Sequence, residues 1–144
     1  MHFGSRGNIG GPQLVVQQLV AYGAVRGDVL DPGTGPGHHA IYCASQGFST
    51  TGVDGSPSAI ERVKRNAEQA GVQVDFQLAD ATTLEGFDGR FDTVVDRLTD
   101  MLTSNPGMAA RFGPLQQRLA TLEPLLENHR VHFPIWAVAA TRLN

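Results

Sequence analysis

Two periods of apolar and polar residues alternate along this chain, and the changes between them mark short elements. Val15, Val16, Leu19 and Val20 recur at helical spacing, with Gln13, Gln17 and Gln18 mostly off that face. This predicts an amphipathic helix with Pro12 in its first turn and Gly23 as its stop, after an irregular segment over residues 1–11. Residues 28–31 read as a first strand, residues 38–46 as a crossover helix ended by Gly47, and residues 49–53 as a second strand closing on Asp54. A further helix follows. Ser56 caps it with Pro57 in the first turn, or Ser58 and Glu61 form a capping box. Ile60, Val63, Ala67 and Ala70 give it a core stripe, Arg62, Lys64, Arg65 and Glu68 a wet face, and Gly71 an end.

Residues 72–78 alternate strictly, which predicts a third strand; the Asp88–Gly89 turn precedes a fourth over residues 91–96. Each strand closes on or near an acid: Asp31, Asp54, Asp80 and Asp96. Strand–helix alternation of this kind predicts an α/β doubly wound, mostly parallel sheet with its site at the carboxyl ends of the strands. In the last third, Leu115, Leu119 and Leu122 mark a helix that Pro124 must kink or end. Residues 131–140 are apolar enough for a fifth strand, which Pro134 restricts to an edge.

Composition changes this picture little. The 144 residues, 41% hydrophobic, fit one domain over residues 1–144, with no apolar run of the roughly 20 residues a membrane span needs. The start lacks a signal-peptide pattern, and the one cysteine, Cys43, fits a reducing, cytoplasmic setting. Cys43 lies on an apolar helix face with Ala40 and Ala44, so a buried structural thiol is expected. A net charge of −3 gives no reason to expect a nucleic-acid backbone, and no membrane partner is expected either. The 17 glycines and 17% charged residues suit a buried sheet with tight ligand-binding turns.

The chemistry concentrates in VLDPGTGPG, residues 29–37. Gly33, Gly35 and Gly37 free the backbone to approach a ligand, and the following helix aims its unpaired N–H groups at the loop. Residues 35–40 also match the dinucleotide pattern G-x-G-x-x-A, with Asp54 near the place of a ribose-binding acid. Asp31 argues against that assignment, because a carboxylate suits an ammonium group and would repel a pyrophosphate. His38 and His39 have no further His or Cys at metal spacing, so no metal is expected.

The sequence resembles the class I S-adenosylmethionine-dependent methyltransferases. The resemblance rests on VLDPGTGPG (29–37), GVDGSPSAI (52–60), LADA (78–81) and FDTVVD (91–96), in family order and spacing over residues 12–96. The approach IGGPQ (9–13) resembles the segment before the glycine loop in bacterial small-molecule methyltransferases.

This resemblance implies a Rossmann-like fold, here of five strands without the usual C-terminal β-hairpin, and methyl transfer from S-adenosylmethionine to a small-molecule acceptor by in-line displacement. It also implies that Gly33, Gly35 and Gly37 contact the methionine part of the cofactor, with Asp31 near its amino group. Asp54 would accept from both ribose hydroxyls, Asp80 from the adenine amino group, and the Ala81 N–H would meet a ring nitrogen. Asp96 would floor the methionine end, and Thr34, Gly55 and Ser56 complete the cofactor-binding set. Asp96, Asp100 and His132 are conceivable bases, none of them singled out.

Residues 97–144 depart from the family pattern, which gives the expectation of a domain shortened at both ends. A cofactor-binding remnant, or a subunit completed by a partner, is therefore the alternative, followed by an NAD-binding domain. An unpaired fifth strand would expose an edge, so a homodimer is expected.

Overall fold

The computed structural model describes residues 14–98, 102 and 105–127. β1 (Asp28–Pro32), β2 (Ser49–Asp54), β3 (Asp75–Leu78) and β4 (Thr93–Val94) form one parallel sheet in the order β3-β2-β1-β4. α1 (Leu14–Ala21) precedes the sheet, α2 (His38–Ser45) joins β1 to β2, and α3 (Pro57–Ala70) joins β2 to β3. After β4 come α4 (Ala109–Phe112), α5 (Leu115–Leu122) and a 3-10 turn over Glu123–Leu125. None of the described helices is long and apolar enough to cross a membrane. Four strands are thus described, and the expected fifth, over residues 131–140, lies outside the described residues. On the side of β4 away from β1, Phe91 makes a parallel bridge to Leu126.

Successive residues of a strand face opposite sides, and β1 shows the consequence. Val29 packs with Val16, Leu19, Val25 and Cys43 from the first two helices and their connections, whereas Leu30 packs with Val53, Leu84, Phe87, Val94, Leu122 and Leu125. α3 lays Ile60, Val63 and Ala67 against Ala40 and Phe76. Ala70, expected on the same stripe, is exposed, because the helix ends there and the chain turns away. Each expected glycine stop follows a helix end. At Gly71 the turn is closed by hydrogen bonds from the Gly71 N–H to the Glu68 carbonyl and from the Val72 N–H to the Ala67 carbonyl, both 3.1 Å.

Two strands are shorter than their patterns. β3 begins at Asp75 because that residue is the first to find a partner, Thr51, on β2. Val72 and Val74 instead pack beside α3. β4 is confined to Thr93–Val94; just before it, the Asp92 N–H donates to the Asp28 carbonyl and the Asp92 side chain, in place of its backbone carbonyl, accepts the Asp28 N–H, both at 2.8 Å.

Candidate functional site

The chain winds from β1 through β2 to β3 on one side, then returns to place β4 on the other side of β1. In doubly wound sheets the loops leaving the strand ends diverge at such a reversal and leave a crevice there. The loop after β1 borders that crevice. Gly33 and Gly35 hold φ of 69° and 53°, which L side chains avoid, and a Cβ on either would meet nothing closer than 3.9 Å. The glycines therefore leave a bare backbone surface. Gly37 is different: at φ 83° its Cβ would lie 2.2 Å from the Val63 Cγ2, so its bareness admits α3. Gly52 plays a similar part within β2, where a Cβ would strike the Phe76 ring and the Thr34 hydroxyl at 2.8 Å.

Asp31 ends β1 almost fully buried. The Thr34 hydroxyl donates to its Oδ2 at 2.8 Å, while Oδ1 is buried with no hydrogen-bond partner. Burial pushes this carboxyl up to about 7; the Asp96 charge adds to the rise, and Thr34, the Ala40 backbone and the Arg97 guanidinium hold it down. A buried, unsatisfied carboxylate oxygen is costly, and a cation donor is the group that would relieve it.

Asp54 ends β2 and ties the loops together. Its Oδ2 accepts the Gly35 N–H and its Oδ1 the Ser56 N–H, both at 3.0 Å. Each oxygen keeps a second lone pair, so two further hydroxyl donors can be accepted. Ser56 caps α3 through the Ala59 N–H at 3.3 Å, with Pro57 in the first turn, the first of the two expected caps. Gly55 approaches the strand beyond: a Cβ on it would lie 3.8 Å from the Ala79 carbonyl. Asp80 is exposed, and Thr82 donates to it from both backbone and hydroxyl, which holds the carboxyl below its usual range. Ala81 folds back over the first loop, its Cβ 4.0 Å from where a Cβ on Gly33 would sit.

Asp96, expected to floor the methionine end, has both carboxylate oxygens engaged by another side chain. The buried Arg118 of α5 grips it with Nε to Oδ2 at 2.9 Å and Nη2 to Oδ1 at 2.7 Å, and Nη1 donates to the Ala81 carbonyl at 2.9 Å. Sequence reasoning missed Arg118. Its signal was an arginine among the apolar positions Leu115, Leu119 and Leu122. Asp96 is thus a poor candidate base, and Asp100 and His132 lie outside the described residues. Cys43 is fully buried, and its burial, then the Asp31 charge, raise the thiol to about 12, as befits a structural group.

Residues 29–119 match the model of a family described as a methyltransferase domain. The chain belongs to that family. Its resemblance to class I S-adenosylmethionine-dependent methyltransferases therefore holds, with S-adenosylmethionine as that family's methyl donor. Among curated relatives, the 2-heptyl-1-hydroxyquinolin-4(1H)-one methyltransferase of Mycobacteroides abscessus is 41% identical over 90 residues, 62% of this chain and 40% of that protein. A structure from work on conversion of a disulfide bond into a thioacetal group during echinomycin biosynthesis superposes with TM-score 0.67 at 33% identity, covering 83% of this chain and 47% of the other. The magnesium protoporphyrin IX methyltransferase of Synechocystis PCC 6803, with bound SAH, superposes with TM-score 0.50 at 31% identity, over 57% of this chain and 38% of that one. The chain spans 40% of the length of the first relative and 54% of the next, an uncharacterised methyltransferase of Schizosaccharomyces pombe.

Proposed function

We propose that the crevice binds S-adenosylmethionine and that the protein passes its methyl group to a small-molecule acceptor. The observation that carries this reading is the unpaired Oδ1 of Asp31, placed beside a bare glycine backbone. An ammonium group satisfies that oxygen; a pyrophosphate would aggravate it. The residues present fit the cofactor in order along the crevice. Asp31 receives the amino group, Gly33 and Gly35 face the methionine portion, Asp54 takes the ribose hydroxyls on its remaining lone pairs, and the loop of Asp80 and Ala81 takes the adenine.

When bound, the cofactor supplies a methyl group already activated on a sulfonium, open to in-line displacement by an acceptor. The chain's own task is then alignment and exclusion of water. The Asp54 bridge between the first two loops and the Thr34 contact hold the carboxylates in place before the ligand arrives. With Asp96 occupied by Arg118, an acceptor that must lose a proton needs a base from elsewhere. That engagement also supports the second reading, a cofactor-binding subunit whose acceptor pocket is completed by a partner. A homodimer through a sheet edge would serve; sedimentation of a stable monomer at high concentration counts against it.

Calorimetric titration with S-adenosylmethionine, S-adenosylhomocysteine and NAD tests the cofactor, and a panel of phenols, thiols and amines tests transfer. Binding of NAD alone overturns the first reading. Binding of the S-adenosyl ligands with no turnover on any acceptor favours the second.

A further inference from the structure

We infer that Arg118 is a positioning residue that fixes both halves of the S-adenosyl site at once, by clamping the Asp96 carboxylate and the Ala81 carbonyl with one guanidinium. The inference rests on the cofactor reading above. Asp96 follows β4 and Ala81 follows β3, the two outermost strands of the described sheet, so nothing in the sheet ladder relates one to the other. They meet only because the loop after β3 folds back across the crevice toward Gly33. Arg118 holds that fold-back. Its planar fork matches the Asp96 carboxylate with two parallel hydrogen bonds, and the remaining amino group reaches the Ala81 carbonyl at 2.9 Å. Lysine, with a single point charge, cannot satisfy both partners in that geometry.

The placement has an energetic logic. Arg118 keeps only 6% of its exposure, in a helix whose Leu122 packs against Leu30 and Val53 under the same crevice. A guanidinium buried there is tolerated when every strong contact is made, and the carbonyl contact makes the pair into a three-point lock. Arg118 also offsets the Asp96 charge that faces Asp31. The other charged group acting on Asp31 is Arg97, while the neighbouring Cys43 thiol is itself pushed up by the Asp31 charge. One residue thus sets the seat of the adenine loop and the electrostatic surroundings of the carboxylate proposed to meet the ammonium.

The test compares the whole chain with Arg118→Lys, Arg118→Gln and the charge-neutral pair Asp96→Asn with Arg118→Gln, which guards against a fold lost to an unpaired buried charge. Amide hydrogen exchange, without ligand, is expected to quicken over residues 79–84 in every variant while β1 and β2 stay protected. Affinity for S-adenosylhomocysteine is expected to fall about tenfold, the size of one charge-assisted hydrogen bond. In Arg118→Gln the pH midpoint of binding is expected to move upward, and Arg118→Lys, keeping the charge, is expected to restore it. Unchanged exchange over residues 79–84 in the double variant overturns the clamp, whatever the ligand does. Altered exchange in the variants, together with a parent chain that does not bind S-adenosylhomocysteine, overturns the cofactor reading instead.

Discussion

The Thr34 hydroxyl donates to Asp31 at 2.8 Å and leaves the second oxygen of that carboxylate buried without a partner. The two residues form a half-finished hydrogen-bond set, whose completion is the part proposed for the ligand's ammonium group. Since burial lifts the Asp31 carboxyl to about 7, affinity for S-adenosylhomocysteine should rise as pH passes upward through that value, as the carboxylate forms. Thr34→Val removes a contact that favours the ionised form, so its midpoint should lie higher. Calorimetry across pH measures both; a flat profile in the parent chain would falsify the ammonium assignment.

Stability without ligand should run the opposite way. The folded carboxyl binds its proton up to about 7 and the unfolded one only to about 3.8, so between those values the native state holds the extra proton. The contribution of Asp31 is therefore full below about 4 and is lost as pH rises toward about 7, an effect of a few kcal/mol at most. Asp31→Asn should remove this slope, raise the melting temperature at pH 8 and abolish tight binding. Denaturation at several pH values, with and without S-adenosylhomocysteine, follows all three.

Asp54 accepts the Gly35 and Ser56 N–H groups, and Asp54→Asn replaces one accepting oxygen with a donor that must face an N–H. S-adenosyl affinity should drop by about 2 kcal/mol, with a smaller loss of stability because the start of α3 also depends on the contact. Wild-type affinity in this variant would sink the ribose assignment.

Gly37→Ala should destabilise by about 3 kcal/mol, because it adds both left-handed strain and a collision with Val63. Val63→Ala in the same chain relieves the collision but leaves the strain, so partial recovery is expected. Urea denaturation of the single and double variants separates the two contributions.

Asp96→Ala strands the buried Arg118 charge and should cost about 3–5 kcal/mol. The pair is buried, so that loss should change little between low and high salt. Thermal melts at two ionic strengths check it.

Most of the candidate site is legible in the chain because its chemistry is local: glycines and an acid just after a strand, then a second acid after the next. Asp31, Gly33, Gly35, Asp54 and Ser56 lie within one βαβ unit, where sequence distance and spatial distance run together. Arg118 was hidden because its partners come from two other loops, and an arginine beside leucines reads as a helix edge turned to water. The strand expected over residues 72–78 is shorter in the fold for a related reason. Alternation reports which side of the chain is buried, and Val72 and Val74 achieve burial against α3 with no strand partner. Asp96 lies two residues beyond β4 and not at its end, and its occupant is visible only once α5 is in position.

β1 pairs with β2 over five residues and with β4 over two. The longer pairing also comes first along the chain: the glycine loop, Asp54 and the cap of α3 all lie before residue 78, while β4 and Arg118 lie after it. The residues proposed for the ribose side are thus specified by the first half of the described chain, and the clamp proposed to close over them by the second.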